Sequence, residues 1–306
     1  MHGSSSIASS PARDAGFSLT EALISVALML VLFGSALPAL RQTTFLSHTV
    51  GNRSEMHGSV RGATELMQQE IGQAGRITLP GPVALAGTTV AGVNTVALTS
   101  TAGLFPGAQI IVGTGELAET VTVTALDTAT VTATFGLVHA SGEPVQVLGA
   151  FASGVVPPSM TDGSTGTVLK LYGDLNDDGQ MVYLEYTCDM QTGQLYRNVM
   201  PWNAVGKPAL TQEMVLLTNV IPNPGGAPCF TYQSETVTTT TFVTGVAVTL
   251  SVRSQQRDMY SKNFQQATKT LLNVSPRNIF LVWSMRSIGI TNRLQPMPPS
   301  ILALLP

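Results

Sequence analysis

The chain has 306 residues, of which 44% are hydrophobic and only 11% are charged, and its formal net charge is −3. The sequence contains no run of basic residues, so binding to nucleic acid through phosphate contacts has no electrostatic support. We therefore expect no nucleic-acid partner. The length is sufficient for a long helix followed by one large or two modest globular parts.

The first element in the chain is an apolar segment. Residues 17–40 contain a single charged residue, Glu21. As a helix with a rise of about 1.5 Å per residue, the segment would be about 36 Å long, and a bilayer core is about 30 Å thick. The sequence therefore predicts a transmembrane helix. An ordinary secretory signal has its apolar run before the small residue at the cleavage site, whereas Gly16 precedes this run, so cleavage after Gly16 would leave the helix on the mature protein.

The junction GFSLTE at residues 16–21 resembles the prepilin signal of the type IV pilin superfamily, which includes the minor pilins and the pseudopilins of type II secretion. Cleavage after Gly16 would make Phe17 the first mature residue and Glu21 the fifth, and would place Pro38 at the twenty-second position. These positions match the family pattern.

Two residues depart slightly from that pattern. Thr20 stands where an aliphatic residue is more usual, and the leader is basic only at Arg13. The resemblance implies cleavage and N-methylation by a prepilin peptidase. It also implies a single-pass anchor in the bacterial inner membrane with a periplasmic head. The pilus assembly platform would then incorporate the subunit, with other major and minor pilins or pseudopilins, into a pilus or pseudopilus that reaches the cell surface.

Glu21 is a lone carboxylate one helical turn into the apolar segment, where burial is costly without a partner. The resemblance supplies one: the amino group of Phe17 on a neighbouring subunit, so that each charge compensates the other in a low-dielectric surrounding. The alternative is a carboxylate that stays near the headgroups of an ordinary membrane anchor. Gly34 and Pro38 weaken the helix. The resemblance implies local melting there on assembly, and a simple kink at the membrane exit is the alternative.

Beyond the membrane the helix is predicted to continue to about residue 75. Apolar residues recur at spacings of three and four, which places them on one face of an amphipathic helix that packs on a sheet. These residues are Val60, Ala63, Met67, Ile71 and Ala74. Glycines within residues 51–62 favour an interruption between about 48 and 60.

Residues 80–151 are predicted to form an inserted β module of about five short strands. Runs at 95–99, 109–112, 120–125 and 130–135 alternate apolar and polar residues and are rich in Val and Thr. Glycines separate these runs. We expect His139 to be a loop residue rather than a ligand.

Residues 160–306 are predicted to form an antiparallel β-sheet head. Strands are expected at 168–172, 181–186, 194–199, 213–220, 230–233, 245–253 and 277–287. Residues 246–254 and 276–279 loosely resemble the C-terminal parts of minor pilins of the PilW type and of J-type pseudopilins. The predicted fold class is therefore α+β, in which a long N-terminal helix packs on an antiparallel β-sheet and carries an inserted small β module. The predicted domains are a leader (1–16), the helix (17–75, transmembrane at 17–40), the module and the head.

The segment DLNDDG at residues 174–179 fits the spacing of a calcium-binding loop, in which oxygen ligands occupy positions one, three, five and twelve. The candidate ligands are Asp174, Asn176, Asp178, the carbonyl of Gln180, and Glu185. The same residue types also form a hairpin turn, and strands rather than helices flank the loop. The calcium loop and the plain hairpin turn both stay open as interpretations. Calcium is the only cofactor that the sequence indicates.

The chain has two cysteines, Cys188 and Cys229. In an oxidising compartment they would form a disulfide that stabilises the fold by about 3 to 4 kcal/mol, and the alternative is two free thiols. No Cys-x-x-Cys motif is present.

The sequence does not favour an enzyme. No Gly-x-Ser-x-Gly elbow or Walker-type glycine loop is present, and the histidines are not grouped with a nucleophile. We expect a structural filament subunit, a minor pilin or pseudopilin in a tip-proximal or initiating position. The alternatives are a filament-tip adhesin that binds through the β module, and a plain membrane-anchored β protein.

Overall fold

The structure is a computed structural model that describes Gly16 and residues 18–306. Phe17 and the predicted leader before Gly16 lie outside the described residues. The chain forms two compact units. The first contains the described residues up to Gly51 together with Asp258–Asn263, and the second contains Asn52–Arg257 and Phe264–Pro306.

The N-terminal element is one helix, α1 (Leu19–Gln73). It continues without a break through residues 48–60, so the predicted interruption is wrong. Glycines lower helix stability by only about 1 kcal/mol each, which is too little to end a helix of this length. Pro38 lies inside α1.

The C-terminal part of α1 buries one face. The predicted stripe of Val60, Ala63, Met67, Ile71 and Ala74 is buried throughout, and Met56 extends it by one turn. These side chains share a hydrophobic core with the strands of the head. The predicted amphipathic helix is therefore confirmed, because apolar residues three and four positions apart lie on the same side of a helix.

The β module is a six-stranded antiparallel sheet in the order β1-β6-β3-β4-β5-β2. Its strands are β1 (Val83–Ala84), β2 (Gly92–Ala97), β3 (Gln109–Val112), β4 (Glu119–Leu126), β5 (Thr130–Phe135) and β6 (Pro144–Val147). The four predicted runs correspond to β2, β3, β4 and β5. Inward-facing residues such as Ile110, Val123 and Val131 belong to a second hydrophobic core.

The head contains two further sheets. The first is an antiparallel meander of β8 (Val168–Gly173), β9 (Val182–Asp189), β10 (Gln194–Pro201) and β11 (Val215–Thr218). The second has β14 (Thr240–Arg257) between β13 (Phe230–Val237) and β15 (Phe264–Val274), with β12 (Val220–Ile221) also pairing with β14. The fold is α+β, as predicted, with the long helix packed on antiparallel sheet through the face described above.

In the C-terminal region one predicted strand is wrong and one observed strand was not predicted. Residues 277–287 form a helix, α2 (Arg277–Ser287), and not a strand. Its buried residues, Ile279 and Val282, are three apart, which is a helical spacing. The strand β15 was not predicted, because its sequence is largely polar.

The β module enters and leaves the head at neighbouring points. Gly75, just after α1, donates its N–H to the carbonyl of Tyr172 and accepts the N–H of Phe151, both at 2.9 Å. Gly75 has a φ of 80°, and a side chain there would lie 2.8 Å from Ile279, so only glycine fits. Phe151 belongs to β7 (Ala150–Phe151), which pairs in parallel with β16 (Leu294–Gln295), and the short helix α3 (Pro299–Leu304) follows.

Candidate functional site

The start of α1 is defined by a side-chain cap. The hydroxyl oxygen of Ser18 accepts the N–H of Glu21 at 3.2 Å, which satisfies one of the free donors of the first turn. Glu21 lies in that first turn, where the partial positive charge of the helix N-terminus favours a carboxylate. Gly16 and Glu21 are both exposed. Phe17, the predicted partner of Glu21, lies outside the described residues.

The following turns of α1 expose a continuous apolar surface. An 18-residue window of this helix has a mean hydropathy of 2.3, and none of the window is buried. Leu30 and Val31, for example, expose 68% and 69% of their surfaces. By length and composition the helix could cross a membrane, in agreement with the predicted anchor.

Gly34 and Pro38 both lie inside this apolar part of α1. A Cβ added at Gly34 would have no neighbour within 4 Å, so the glycine is not required by packing within the described chain. Its effect is on backbone stability. Melting on assembly and a kink at the membrane exit both remain predictions.

The candidate calcium loop is built as a turn. The buried carboxylate of Asp174 accepts the backbone N–H groups of Asp178 and Gly179 at 3.1 and 3.2 Å. Asp178 in turn accepts the N–H of Gln180 at 2.9 Å. Arg76 lies beside the same loop, 3.8 Å from Asp174 and paired with Asp177. Asn176 is exposed.

Glu185, the candidate twelfth-position ligand, lies on β9 and has other partners. Its carboxylate accepts hydrogen bonds from the hydroxyl of Tyr183 at 2.6 Å and from Lys207 at 2.7 Å, and Lys170 lies 3.6 Å away. Burial lowers the pKa of Lys170, and the charge of Glu185 opposes that shift. Within residues 18–306 and Gly16, no group of three or more His, Cys, Asp or Glu side chains is arranged to hold a metal ion. The observed contacts are those of the hairpin-turn interpretation.

Cys188 and Cys229 form a disulfide, with their Cα atoms 6.6 Å apart. Cys188 lies on β9, in the meander sheet, and Cys229 directly precedes β13, in the second sheet. The bond therefore links the two sheets of the head. Both residues are buried.

A buried ion pair that the sequence does not predict joins α1 to the head. Glu70 accepts hydrogen bonds from Arg197 on β10 and from the hydroxyl of Tyr186 on β9. Glu70 lies three residues after Met67 and four before Ala74, so the spacing places it on the buried stripe. A charged residue at such a position indicates a buried partner, although the sequence does not say which one.

His139 lies in a loop, as predicted, but its side chain is fully buried. Its Nδ1 is 2.6 Å from Glu143 and its Nε2 is 2.7 Å from Glu119. Burial alone lowers the pKa of His139, but the hydrogen bonds and charges of the two carboxylates outweigh it, and the pKa is raised. Both ring nitrogens donate only in the imidazolium form, so protonated His139 can donate to Glu143 and Glu119 at once and link them within the β module.

A cavity of about 470 Å³ lies within the second unit. The described residues that line it include neutral polar side chains, among them Gln109, Ser153, Ser159 and Thr241, and none of these described residues is charged.

No protein-family model matches this chain, and no curated protein matches it.

Proposed function

We propose that this protein is a structural subunit of an envelope filament of the type IV pilin kind, either a minor pilin or a pseudopilin. The observation that carries the proposal is the junction at residues 16–21 directly before a fully exposed apolar helix. In this arrangement one small residue precedes a span with a single acid in its first turn. A plain membrane anchor gives no role to this combination.

The exposed helix supplies the assembly element. Apolar side chains such as Leu30 and Val31 cover its surface, so it can lie in lipid before assembly and pack against the helices of other subunits in a filament. In such a bundle the carboxylate of Glu21 would be removed from water, and a neighbouring amino terminus at Phe17 would compensate its charge.

The second half of α1 supports the same proposal. A structural subunit needs a head that is fixed to its assembly helix, and residues 52–73 pack into the head core through the buried stripe and the Glu70–Arg197 pair. The partners would be a prepilin peptidase, other major and minor pilins or pseudopilins, the inner membrane and the assembly platform. The head would be periplasmic until assembly.

The first experiment is mass spectrometry of the chain purified from cells that contain a prepilin peptidase. The proposal expects a mature protein that begins at N-methylated Phe17. A chain that retains its first sixteen residues would contradict it and would favour a plain membrane-anchored protein.

The second experiment is replacement of Glu21 by Ala. We expect membrane insertion to be unchanged, because the helix becomes more apolar, and incorporation into sheared filaments to fall. Replacement of Glu55, an exposed acid on the same helix, is the matched control. Normal incorporation of Glu21→Ala would refute the proposed pairing. Binding of the full chain to glycans or surface proteins, with no binding to other pilins, would instead favour the adhesin alternative.

A further inference from the structure

We propose that the turn Asp258–Asn263, at the end of the β14–β15 hairpin, is a second membrane-contacting element that lies in the lipid headgroup layer beside α1. This inference rests on the proposed membrane anchor. It adds a lipid-facing surface that the N-terminal signal does not predict.

The turn lies beside α1 within the first compact unit. Tyr260 lines a groove of about 560 Å³ together with residues of α1, among them Pro38, Arg41, Phe45 and Thr49. The hydroxyl of Thr49 donates to the carboxylate of Asp258 at 2.5 Å. The turn and this part of the helix belong to the same compact unit.

The length of the span places the groove at the surface of the bilayer. The uncharged part of the span, residues 22–40, is about 28 Å long as a helix, which is close to the thickness of a hydrocarbon core of about 30 Å. Residues 38–41 therefore lie where hydrocarbon meets headgroups. Tyr260 lines the same groove as Pro38 and Arg41. Tyrosine is enriched at this level of a bilayer because its ring is apolar and its hydroxyl is polar.

The surface of the turn carries exposed apolar and cationic side chains. Tyr260 exposes 90% of its surface and Met259 exposes 43%. Lys262 on the turn and Arg41 on the helix are exposed cations, which anionic headgroups attract. The one acid of the turn, Asp258, is 6% exposed and accepts the N–H groups of Tyr260 and Ser261 at 3.0 and 2.7 Å. The solvent-facing side of the turn is therefore apolar and cationic.

The turn is also held in shape by its own backbone. The N–H of Asp258 donates to the carbonyl of Asn263, and the N–H of Lys262 donates to the carbonyl of Asp258, both at 2.8 Å. Exposed apolar side chains on an ordered turn lose little conformational freedom when they bind a surface. Since the patch is continuous with the apolar part of α1, lipid is the occupant that the position favours over a separate protein.

The test places a fluorescent probe on the turn of the full chain. The two native cysteines form the disulfide and no free cysteine is present, so an introduced cysteine is the single reactive thiol. The probe is an environment-sensitive dye on Met259→Cys, with one chain in each nanodisc of phosphatidylcholine and phosphatidylglycerol. Spin-labelled lipids that carry the nitroxide near the headgroup report contact. Leu30→Cys marks the span, and Val205→Cys, at an exposed loop residue, marks the head.

We expect the probe at Met259→Cys to lose fluorescence, because a turn that carries Tyr260 at headgroup level brings the probe to the nitroxide. The probe at Val205→Cys should be nearly unaffected. Adding Tyr260→Ser should reduce the quenching at Met259→Cys. If Leu30→Cys is quenched and Met259→Cys behaves like Val205→Cys, the inference is wrong while the anchor stands. If Leu30→Cys is not quenched, the anchor fails and this inference fails with it. A probe response that appears only with several chains in one disc would assign the surface to a second copy and overturn the proposal.

Discussion

Arg197 on β10 holds both carboxylate oxygens of Glu70 on α1, with its Nε 3.1 Å from Oε1 and 3.2 Å from Oε2. The two partners differ in their access to water. The side chain of Glu70 is 1% exposed and that of Arg197 is 27% exposed. The pair is therefore asymmetric, and its two halves are expected to respond differently to mutation.

Replacement of Arg197 by Ala should destabilise the protein more than replacement of Glu70 by Ala. The first change leaves an uncompensated carboxylate in the core, a cost of about 3 to 5 kcal/mol, whereas the second leaves a guanidinium that already reaches solvent. Urea unfolding of the full chain in detergent, followed by tryptophan fluorescence, measures both free energies. Glu65→Ala, which breaks an exposed pair with Arg61 on the same helix, should cost about 0.5 kcal/mol or less. Equal losses for Arg197→Ala and Glu70→Ala would contradict the asymmetry.

The β module should lose stability as the pH rises above about 6.5. The pKa of His139 is raised above its ordinary value of 6.5, so the stabilisation from its charged form is complete below about pH 6.5 and is lost as the pH rises through the raised pKa. The pKa of Glu143 is lowered from 4.5, first by the N–H of Ala140 and then by His139. Its contribution is present above about pH 4.5 and is lost as the pH falls through the lowered pKa.

Hydrogen exchange of the β4–β6 amides at pH 6 and pH 8, corrected for intrinsic exchange rates, measures this effect. Protection should be greater at pH 6. His139→Gln should lower protection at pH 6 and remove the difference between the two conditions, whereas His57→Gln, at an exposed position on α1, should keep it. A pH difference that survives in His139→Gln would show that another group is responsible.

Reduction of the disulfide should loosen the connection between the two head sheets. For a sequence separation of 41 residues, the chain-entropy model gives about 4 kcal/mol. We expect the thermal midpoint of the full chain to fall when a reductant is added. The double variant Cys188→Ser with Cys229→Ser should already have the lower midpoint and should not respond to reductant. An unchanged midpoint in the wild type would mean that the sheets are held together without the bond.

Calcium should not bind at residues 174–179. The carboxylate of Asp174 already accepts two backbone N–H groups, and Arg76 already supplies a positive charge at this loop. Isothermal titration at about 1 mM calcium, the range of weak extracellular sites, should give no saturable heat. A one-to-one heat that disappears in Asp174→Asn would establish the ion site instead.

Local patterns were sufficient to predict much of this fold. The stripe on α1 and the strands β3 and β5 follow from spacing alone, since each has a clear helical or alternating period. Arg277–Ser287 was misassigned because its sequence, RNIFLVWSMRS, is an apolar run rich in strand-favouring residues, and a short run of that kind does not distinguish strand from helix. Burial of Ile279 and Val282 against the head core favours the helix over the strand. This packing is tertiary and cannot be read from the local sequence.

In the candidate site, too, local features could be predicted from the sequence and long-range contacts could not. The acid at Glu21 and the apolar span can be recognised in the sequence because each is defined by residues that are neighbours along the chain. The partner of Glu70 is 127 residues away, and Glu119 is 20 residues from His139. No local pattern specifies these two contacts, whereas Glu143 lies only four residues from His139.

The junction at Gly75 has a consequence for how the protein can diversify. Because Phe151 is hydrogen bonded to Gly75, the segment between these two residues leaves the head and returns to it at a single place. Its loops and exposed side chains can vary while the flanking scaffold keeps its geometry. The side chains that share a hydrophobic core with Tyr172 and Tyr183 of the head must stay apolar, so diversity is expected to collect on the outer surface of the segment.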